Sequence, residues 1–338
     1  MYLAPLNYDR FFKKVFSDIK IAKKFLEDFL GVHIEEIVLL DTKHKVTDDA
    51  AAVEFDFRCK IKGQHVIIDM QQWYKSDIIK RFYLYHTLNS ALQLETMPMK
   101  SIKISNEKKY DTKNYDELEP VITLIWMAND TLKYSEDYIA FALFPEQTVD
   151  FLKNDNLWNT KDLKKIEENR QKTLNLLNND SKSLDFLPQN RLIYIFQKNI
   201  VKNKKYSEYF DWFELAEKTR NENNVRKDFI KYEKNKILMA VIQRIRKDNL
   251  KTEDFQYIDD YDKFLIQAKI HDDVIRKEAF KEATELLNKV NVDKIKQKFV
   301  FSSYEQGLNP DLIATITELP LEIVNEIIEN YNNFMNGE

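Results

Sequence analysis

Apolar residues recur at three- and four-residue spacing over residues 7–30, the pattern of one amphipathic helix that faces a core. Asn7 or Asp9 can cap its N-terminus. Gly31 is expected to end the helix, because glycine readily adopts the left-handed conformation at a helix C-terminus. The apolar positions are Phe11, Phe12, Val15, Phe16, Ile19, Ala22, Phe25, Leu26, Phe29 and Leu30.

Two apolar-rich runs, residues 51–61 and 65–71, are separated by Lys62-Gly63-Gln64 and predict a β-hairpin. A two-residue loop at Lys62-Gly63 would place Asp56 directly opposite Asp69, whereas a three-residue loop would break that pairing. Alternation divides the first run into two faces. The polar face carries Glu54, Asp56, Arg58 and Lys60, and the apolar face carries Phe55, Phe57, Cys59 and Ile61.

The pattern around this hairpin predicts four further elements before residue 128. Residues 34–40 indicate a strand and residues 41–49 a polar loop, and a second helix is expected from Ser76 or Asp77 to residue 94. Residues 98–119 are polar, while residues 120–127 are nearly all apolar, as in a strand covered on both faces. The order helix, strand, strand, strand, helix, strand predicts an α+β (α/β) fold with a small mixed sheet flanked by helices.

After about residue 150 the pattern becomes mostly helical. We therefore divide the chain into a core at 1–150, a helical region at 151–298 and a tail at 299–338. In the tail, a short helix beginning at Asn309 or Pro310, a break at Glu318-Leu319-Pro320 and a second short helix resemble a helix-turn-helix. Because the second helix is acidic rather than basic, the alternative is a packing or pairing module. The helices predicted for the middle region span 160–178, 189–203, 206–221, 225–248, 253–269 and 272–298.

Composition excludes several classes of protein. The 338 residues include four glycines and no glycine-rich phosphate-binding motif, which argues against Rossmann and P-loop enzymes. The single cysteine, Cys59, rules out an internal disulfide or a thiolate zinc site, and its apolar face predicts a buried, inert thiol. The chain shows neither a signal-peptide pattern nor a run of 18 apolar residues, so we expect a cytoplasmic protein without a membrane partner.

The net charge of −4 means that any nucleic-acid footprint must be local. Residues 218–251 contain eleven Lys or Arg and four acidic residues, which could form a phosphate-binding face. The alternative is a solvated helix surface in a lysine-rich protein.

Asp56 and Asp69 are the candidate metal ligands. Directly opposed residues in a hairpin lie about 4.5–5.5 Å apart at Cβ, and two carboxylates at that distance repel unless a cation lies between them. Mg²⁺ or Mn²⁺ with oxygen ligands is the natural cation. The alternative is a pair of aspartates that are simply hydrated on the polar face of the hairpin.

The order of elements and the spaced acidic residues resemble the PD-(D/E)XK nuclease fold, and within it the recombination-promoting nuclease and transposase family. The resemblance covers most of the chain and is firmest over residues 5–95. The C-terminal stretch with Ile313-Ala314 and Leu319-Pro320 is similar to the tail of many family members, and Phe213-Glu214-Leu215-Ala216 is a weaker similarity. The matching motifs are Asp9-Arg10-Phe11-Phe12-Lys13 with Phe16, Phe55-Asp56, Ile68-Asp69-Met70-Gln71, and Lys80-Arg81 followed by Tyr83, Tyr85 and Gln93.

The resemblance implies a Mg²⁺-dependent DNA endonuclease, with Mn²⁺ as a substitute, linked to recombination, transposition or defence against foreign DNA. It implies Asp56, Asp69 and the Met70 carbonyl as metal ligands, and Gln71 as the residue that orients the attacking water or the phosphate. The family usually has Glu at position 69, and the wider fold has Lys at position 71.

The same resemblance implies supporting roles for four further residues. Asp9 would be an outer ligand, with a plain helix cap as its alternative. Lys13 lies one turn after Asp9 on the same helix face, and activity would depend on the metal and on the positive charge of Lys13 or Arg81. Arg81 and Tyr85 share a face and would hold phosphate, with a core aromatic as the alternative for Tyr85. A catalytically degenerate module that binds DNA or proteins is the second hypothesis, and a homo-oligomer assembled through the helical C-terminal region is the third.

Overall fold

The computed structural model describes residues 1–45, 52–72, 77–103, 109–177, 184–205, 207–287 and 294–336. Chain contacts divide it into two compact units, residues 1–249 and residues 250–338. The fold is mixed α+β, as predicted. Within the described ranges, no helix is long and apolar enough to cross a membrane.

The first unit contains all of the strands that the structure describes. They are β1 Ile37–Leu39, β2 Lys43–His44, β3 Val53–Glu54, β4 Phe57–Ile61, β5 Gln64–Gln71, β6 Met99–Lys103, β7 Lys109–Lys113, β8 Val121–Met127, β9 Tyr138–Ala142 and β10 Arg191–Phe196. Its helices are α1 Asp9–Phe16, α2 Ile19–Leu30, α3 Ile78–Ala91, α4 Gln93–Thr96, α5 Glu146–Leu152, α6 Asp155–Trp158, α7 Leu163–Leu177, α8 Phe186–Gln189, α9 Gln197–Asn203, α10 Phe210–Thr219 and α11 Lys236–Ile245.

A mixed sheet with the strand order β1-β4-β5-β8-β10-β9 forms the centre of this unit. β1, β4 and β5 are antiparallel, β5, β8 and β10 are parallel, and β9 returns antiparallel to β10. All seven residues of β8 are buried, which confirms that this strand is covered on both faces. α3 is the crossover between the parallel strands β5 and β8.

The predicted hairpin register is confirmed over five pairs, from Ile61–Gln64 to Phe57–Ile68. Gly63 closes the two-residue loop with φ +70°, a conformation that favours glycine. Cys59 is fully buried. The first residue of the predicted strand, Ala51, lies outside the described residues.

The predicted alternation fails at the start of the hairpin. β4 begins only at Phe57, and the chain bends at Asp56. Phe57 lies 6.3 Å from Phe16 of α1, whereas Phe55 packs edge-on against Tyr85 of α3 at 5.3 Å. Phe55 and Phe57 therefore do not share a face, because the bend rotates the chain between them.

The single helix predicted over residues 7–30 is two helices. Asp18 interrupts it and caps α2, accepting hydrogen bonds from the backbone N–H groups of Lys20 and Ile21. Gly31 ends α2 with φ +67°, as predicted. Neither Asn7 nor Asp9 caps α1, because Tyr8 occupies the cap position and makes no side-chain bond there.

Four elements differ from prediction because apolar content alone did not define them. Residues 191–196, predicted as the start of a helix, form β10, since a short apolar run fits a buried strand as well as a helix. β9 and the β6–β7 hairpin were not predicted, and several of their apolar residues are exposed, including Met99, Tyr110 and Phe141. The helix predicted over 225–248 is a 3₁₀ segment, Arg226–Tyr232, followed by α11.

The second unit is helical, with α12 Thr252–Leu287, α13 Lys294–Glu305, α14 Pro310–Thr317 and α15 Leu321–Asn336. The break predicted near residue 270 is absent, and α12 continues through it; residues 288–293 of the predicted helix lie outside the described chain. Asn309 caps α14 and Glu318 ends it in a left-handed conformation, as the tail pattern predicted. The core of this unit comprises Val300, Phe301, Ile313, Val324, Ile327, Ile328 and Tyr331.

Candidate functional site

The predicted site residues converge where β5 ends. Asp69 and Gln71 belong to the last three residues of that strand, and Asp56 lies at the bend before β4. Helix α1 brings Asp9 and Lys13 to the same place. The parallel pairing of β5 with β8 continues through Gln71, whose carbonyl accepts a hydrogen bond from the Ala128 N–H at 2.8 Å. The sheet therefore holds this strand end rigidly.

The predicted strand pairing of Asp56 with Asp69 is not formed, because the regular ladder ends one pair earlier, at Phe57–Ile68. Asp56 instead bonds the residue next to Asp69: the backbone N–H of Met70 donates to Asp56 Oδ2 at 2.8 Å. The two acids are still close enough for the charge of Asp56 to raise the pKa of Asp69. The bend at Asp56 allows its side chain to replace a ladder bond.

The Asp69 carboxyl group is incompletely satisfied. The residue is only 6% exposed, and its Oδ2 atom is buried without a hydrogen-bond partner. An unpaired buried carboxylate oxygen is costly, because a charge removed from water needs a compensating partner. Such atoms are rare in folded proteins and indicate strain or a binding role.

Both carboxyl groups resist ionisation. Burial, together with the charge of Asp56, raises the pKa of Asp69 well above its ordinary value, and Arg81 and Lys13 only partly offset this. Burial and contact with the Asp9 carboxyl group raise the pKa of Asp56 to about 7. The two acids therefore titrate as a coupled pair in which burial disfavours the ionised form of each.

Lys13 is the cation that forms an ion pair with Asp56. Its Nζ atom lies 3.0 Å from Asp9 Oδ1, 2.9 Å from Glu54 Oε1 and 3.5 Å from Asp56 Oδ1. Burial alone would lower the pKa of Lys13, but the bonds to Glu54 and Asp9 and the charge of Asp56 raise it, so the ammonium group stays charged. The predicted shared face of Asp9 and Lys13 is confirmed by their contact.

Gln71 and Arg81 form the α3 side of the site. Gln71 is buried, and its side-chain oxygen accepts a hydrogen bond from Arg81 Nη2. The Arg81 guanidinium group lies 4.8 Å from the Phe82 ring centre and 5.9 Å from that of Tyr85. Tyr85 packs against Phe55, and burial and the charge of Asp69 raise its pKa, so it is a core aromatic that also borders the site.

Two contributions were not predicted. Glu54 joins the site through Lys13, and its position two residues before Asp56 was a usable signal. Gln72, next to Gln71, donates to the backbone carbonyl of Asn7, whose side chain bonds Gln197 at 3.0 Å. No spacing in the sequence links residues 7, 72 and 197, so this buried network could be found only in the folded chain.

The donor set suits an oxygen-liganded divalent cation only in part. Among the residues described here, no group of three or more His, Cys, Asp or Glu is arranged to hold a metal ion. The buried, unpartnered Oδ2 of Asp69 beside a second buried carboxyl group nevertheless fits a hard cation such as Mg²⁺. Met70 contributes its N–H to Asp56, and its assignment as a carbonyl ligand stays a prediction.

The basic stretch at 218–251 is largely neutralised. Six of its eleven basic residues form ion pairs with acidic side chains, including Arg244 with Asp18 at 2.6 Å and Lys231 with Asp211 at 2.9 Å. The interpretation as a solvated, paired surface therefore accounts for this stretch better than a phosphate-binding face does.

Two apolar cavities of the first unit, of about 540 and 570 Å³, are lined mainly by residues of α3, β9 and β10. Neither is lined by Asp9, Lys13, Asp56, Asp69 or Gln71. The candidate site is therefore distinct from these two cavities.

Comparisons with known proteins identify no relative. No protein-family model, no curated protein and no solved structure matches this chain.

Proposed function

We propose that the chain is a Mg²⁺-dependent DNA endonuclease with a PD-(D/E)XK-like core, similar to the recombination-promoting nuclease and transposase family. The order of elements supports this proposal: helices α1 and α2, three antiparallel strands, the crossover helix α3 and the parallel strand β8. The two candidate acids, Asp56 and Asp69, lie in the motifs that resemble those of this family.

One observation carries the proposal: two buried carboxyl groups are held against each other, and one of them keeps an unpartnered oxygen. A purely structural carboxylate would be expected to have all of its oxygens paired. Asp56 and Asp69 would hold the ion, with the Met70 carbonyl as a predicted third ligand. A bound Mg²⁺ would supply an activated water and would stabilise the charge on the phosphoryl oxygens.

The surrounding residues have roles that do not depend on the metal. Arg81 orients the Gln71 amide, so Gln71 can present its remaining polar atoms to a water molecule or a phosphate oxygen. Lys13 supplies the positive charge that the wider fold takes from a lysine at the position of Gln71. Asp9 and Glu54 hold that ammonium group in place.

The test is metal-dependent nicking of a supercoiled plasmid by the wild-type chain, Asp56→Asn and Asp69→Asn. We expect cutting with Mg²⁺ or Mn²⁺, none with a chelator, and loss of at least about a hundredfold in rate for each variant. The control is Asp150→Asn, an exposed aspartate on α5, which should cut like the wild type. Equal cutting by all four proteins would disprove the site assignment.

A non-catalytic DNA-binding or protein-interaction module is the second candidate. The observation that favours it is the ion-pairing of Lys13, which already partly neutralises the carboxylates, together with Gln in place of Lys at position 71. This candidate predicts DNA binding that weakens steeply with salt and no cutting with any metal. Self-association through the helical C-terminal region stays a prediction, which light scattering on the full chain would test.

A further inference from the structure

The Lys13 ammonium group neutralises carboxylates whose charge a bound metal ion would also neutralise. Its ammonium group contacts three carboxylates, those of Asp9, Glu54 and Asp56, at 2.9–3.5 Å. No other lysine or arginine in the described residues forms an ion pair with Asp56. The ammonium group is therefore the counter-ion of this cluster in the metal-free protein.

The cluster also reaches solvent on one side. The side chains of Asp9 and Glu54 are 42% and 41% exposed, and that of Lys13 is 31% exposed, while Asp56 is 12% exposed. A cation can therefore approach Asp56 from water without unfolding of the core. Beyond Asp56, the unpartnered Oδ2 of Asp69 is the acceptor that Lys13 does not satisfy.

We propose that Lys13 is an internal counter-cation that competes with a divalent metal ion for the Asp56–Asp69 pair, so that metal loading requires the ammonium group to move away. This inference rests on the proposed metal site, and we call the required displacement of the Lys13 ammonium group the gate. The reason is electrostatic: a divalent ion bound by Asp56 would lie within a few ångströms of the ammonium group in a partly buried setting, where like charges repel strongly.

The gate has a consequence for the order of binding. The phosphate groups of DNA offer Lys13 another anion, and moving to that anion would free the carboxylates. Binding of the metal and binding of DNA would then favour each other, because either one favours the displacement of Lys13 that the other requires. Lys13 would act as a positioning residue that couples the two.

The experiment is a calorimetric titration of Mn²⁺ into the metal-free full chain, without DNA. Lys13→Met and Lys13→Gln should bind Mn²⁺ about tenfold more tightly than the wild type, because the competing charge is gone. Lys13→Arg keeps the charge and should bind within about threefold of the wild type. Lys43→Met is the matched control: Lys43 pairs with Glu54 at 3.4 Å but not with Asp56, so Mn²⁺ affinity should stay within about twofold.

A second readout separates this gate from a structural role. Without metal, Lys13→Met should melt at a lower temperature than the wild type, and Mn²⁺ should raise its melting temperature by more than that of the wild type. A merely structural lysine would lower the melting temperature without increasing the affinity for Mn²⁺. Far-UV circular dichroism checks that each variant is folded.

The outcomes distinguish the two proposals. If the wild type binds Mn²⁺ and Lys13→Met binds it equally or more weakly, the counter-cation proposal is wrong and the metal site stands. If neither protein binds Mn²⁺, the metal site itself fails, and the gate fails with it. Tighter binding by both neutral variants, with Lys43→Met unchanged, supports the gate.

Discussion

Arg58 and Asp69 are equally buried polar residues of one β-hairpin, yet their surroundings differ. Each is 6% exposed. Arg58 donates to the Asn89 side chain at 2.7 Å and to the Asp41 carbonyl at 3.2 Å, and it contacts the His44 ring. Asp69 has an unpartnered carboxylate oxygen and a second carboxyl group beside it.

The difference shows that burial alone does not mark a functional residue. Arg58 is a hydrogen-bonded structural charge that connects the hairpin to α3 and to the preceding loop. Asp69 is under-compensated, so the fold retains it at a cost in stability. Residues of the first kind stabilise a protein and residues of the second kind are candidates for function, because a ligand can supply what is missing.

The largest expected effect is on the structural side of this comparison. Arg58→Met should lower the free energy of unfolding by about 3 kcal/mol, since it leaves Asn89 and a backbone carbonyl without their buried donor. Urea unfolding followed by circular dichroism measures the change. Mn²⁺ affinity, measured where the variant is folded, should be unaltered.

Lys60→Met is the control for Arg58→Met. Lys60 lies on the same strand, is 45% exposed and pairs with Glu119 at 2.9 Å, so its replacement should cost less than about 1 kcal/mol. Similar losses from the two variants would mean that Arg58 is no more important to the fold than a surface ion pair.

The next effect has the opposite sign. Asp69→Asn should raise the free energy of unfolding of the metal-free protein at pH 8 by about 2 kcal/mol, because it removes a buried acid that must either bind a proton or carry a charge beside Asp56. The same variant should lose Mn²⁺ binding. Urea unfolding and calorimetry provide the two measurements, and a loss of stability would place Asp69 in the same class as Arg58.

The smallest effect, counted per pH unit, is a dependence on pH. The pKa of Asp56 is raised from its ordinary 3.8 to about 7 in the folded chain, so between these values the folded state binds a proton that the unfolded state has lost. The free energy of unfolding should therefore fall as pH rises from 4 to 7, by on the order of 1 kcal/mol for each pH unit. Asp56→Asn removes this titration.

Unfolding curves at several pH values, without metal, measure this slope for the wild type and for Asp56→Asn. The variant should gain in stability relative to the wild type as pH increases towards 7. Mn²⁺ affinity of the wild type should rise over the same range, because the metal requires ionised carboxylates. An identical slope in both proteins would assign the titration to other groups.

Local signals in the sequence were sufficient for several parts of the fold. The turn at Lys62-Gly63 set the hairpin register, since a two-residue loop with glycine leaves one pairing. Gly31 and Asn309 mark helix ends where they were predicted. Each of these features depends on residues within a few positions of one another, and the sequence displays such neighbours directly.

Other parts required the folded chain. β10 was predicted as a helix because an apolar run of six residues shows no periodicity that would distinguish a strand from a helix. The segment is a strand because it pairs with β8. The break at Asp18 is stabilised partly by Arg244, which is more than two hundred positions away in the chain. Long-range partners of this kind leave no local pattern.

The candidate site shows the same division. The sequence alone determined that Asp56 and Asp69 would lie near each other, because the hairpin register follows from the turn at Lys62-Gly63. The tertiary structure decided their state: it buries both carboxyl groups, leaves one oxygen unpaired and brings Lys13 of α1 to 3.5 Å from Asp56. Desolvation and through-space charge depend on the whole packed chain, and so the chemistry of the pair is a tertiary property.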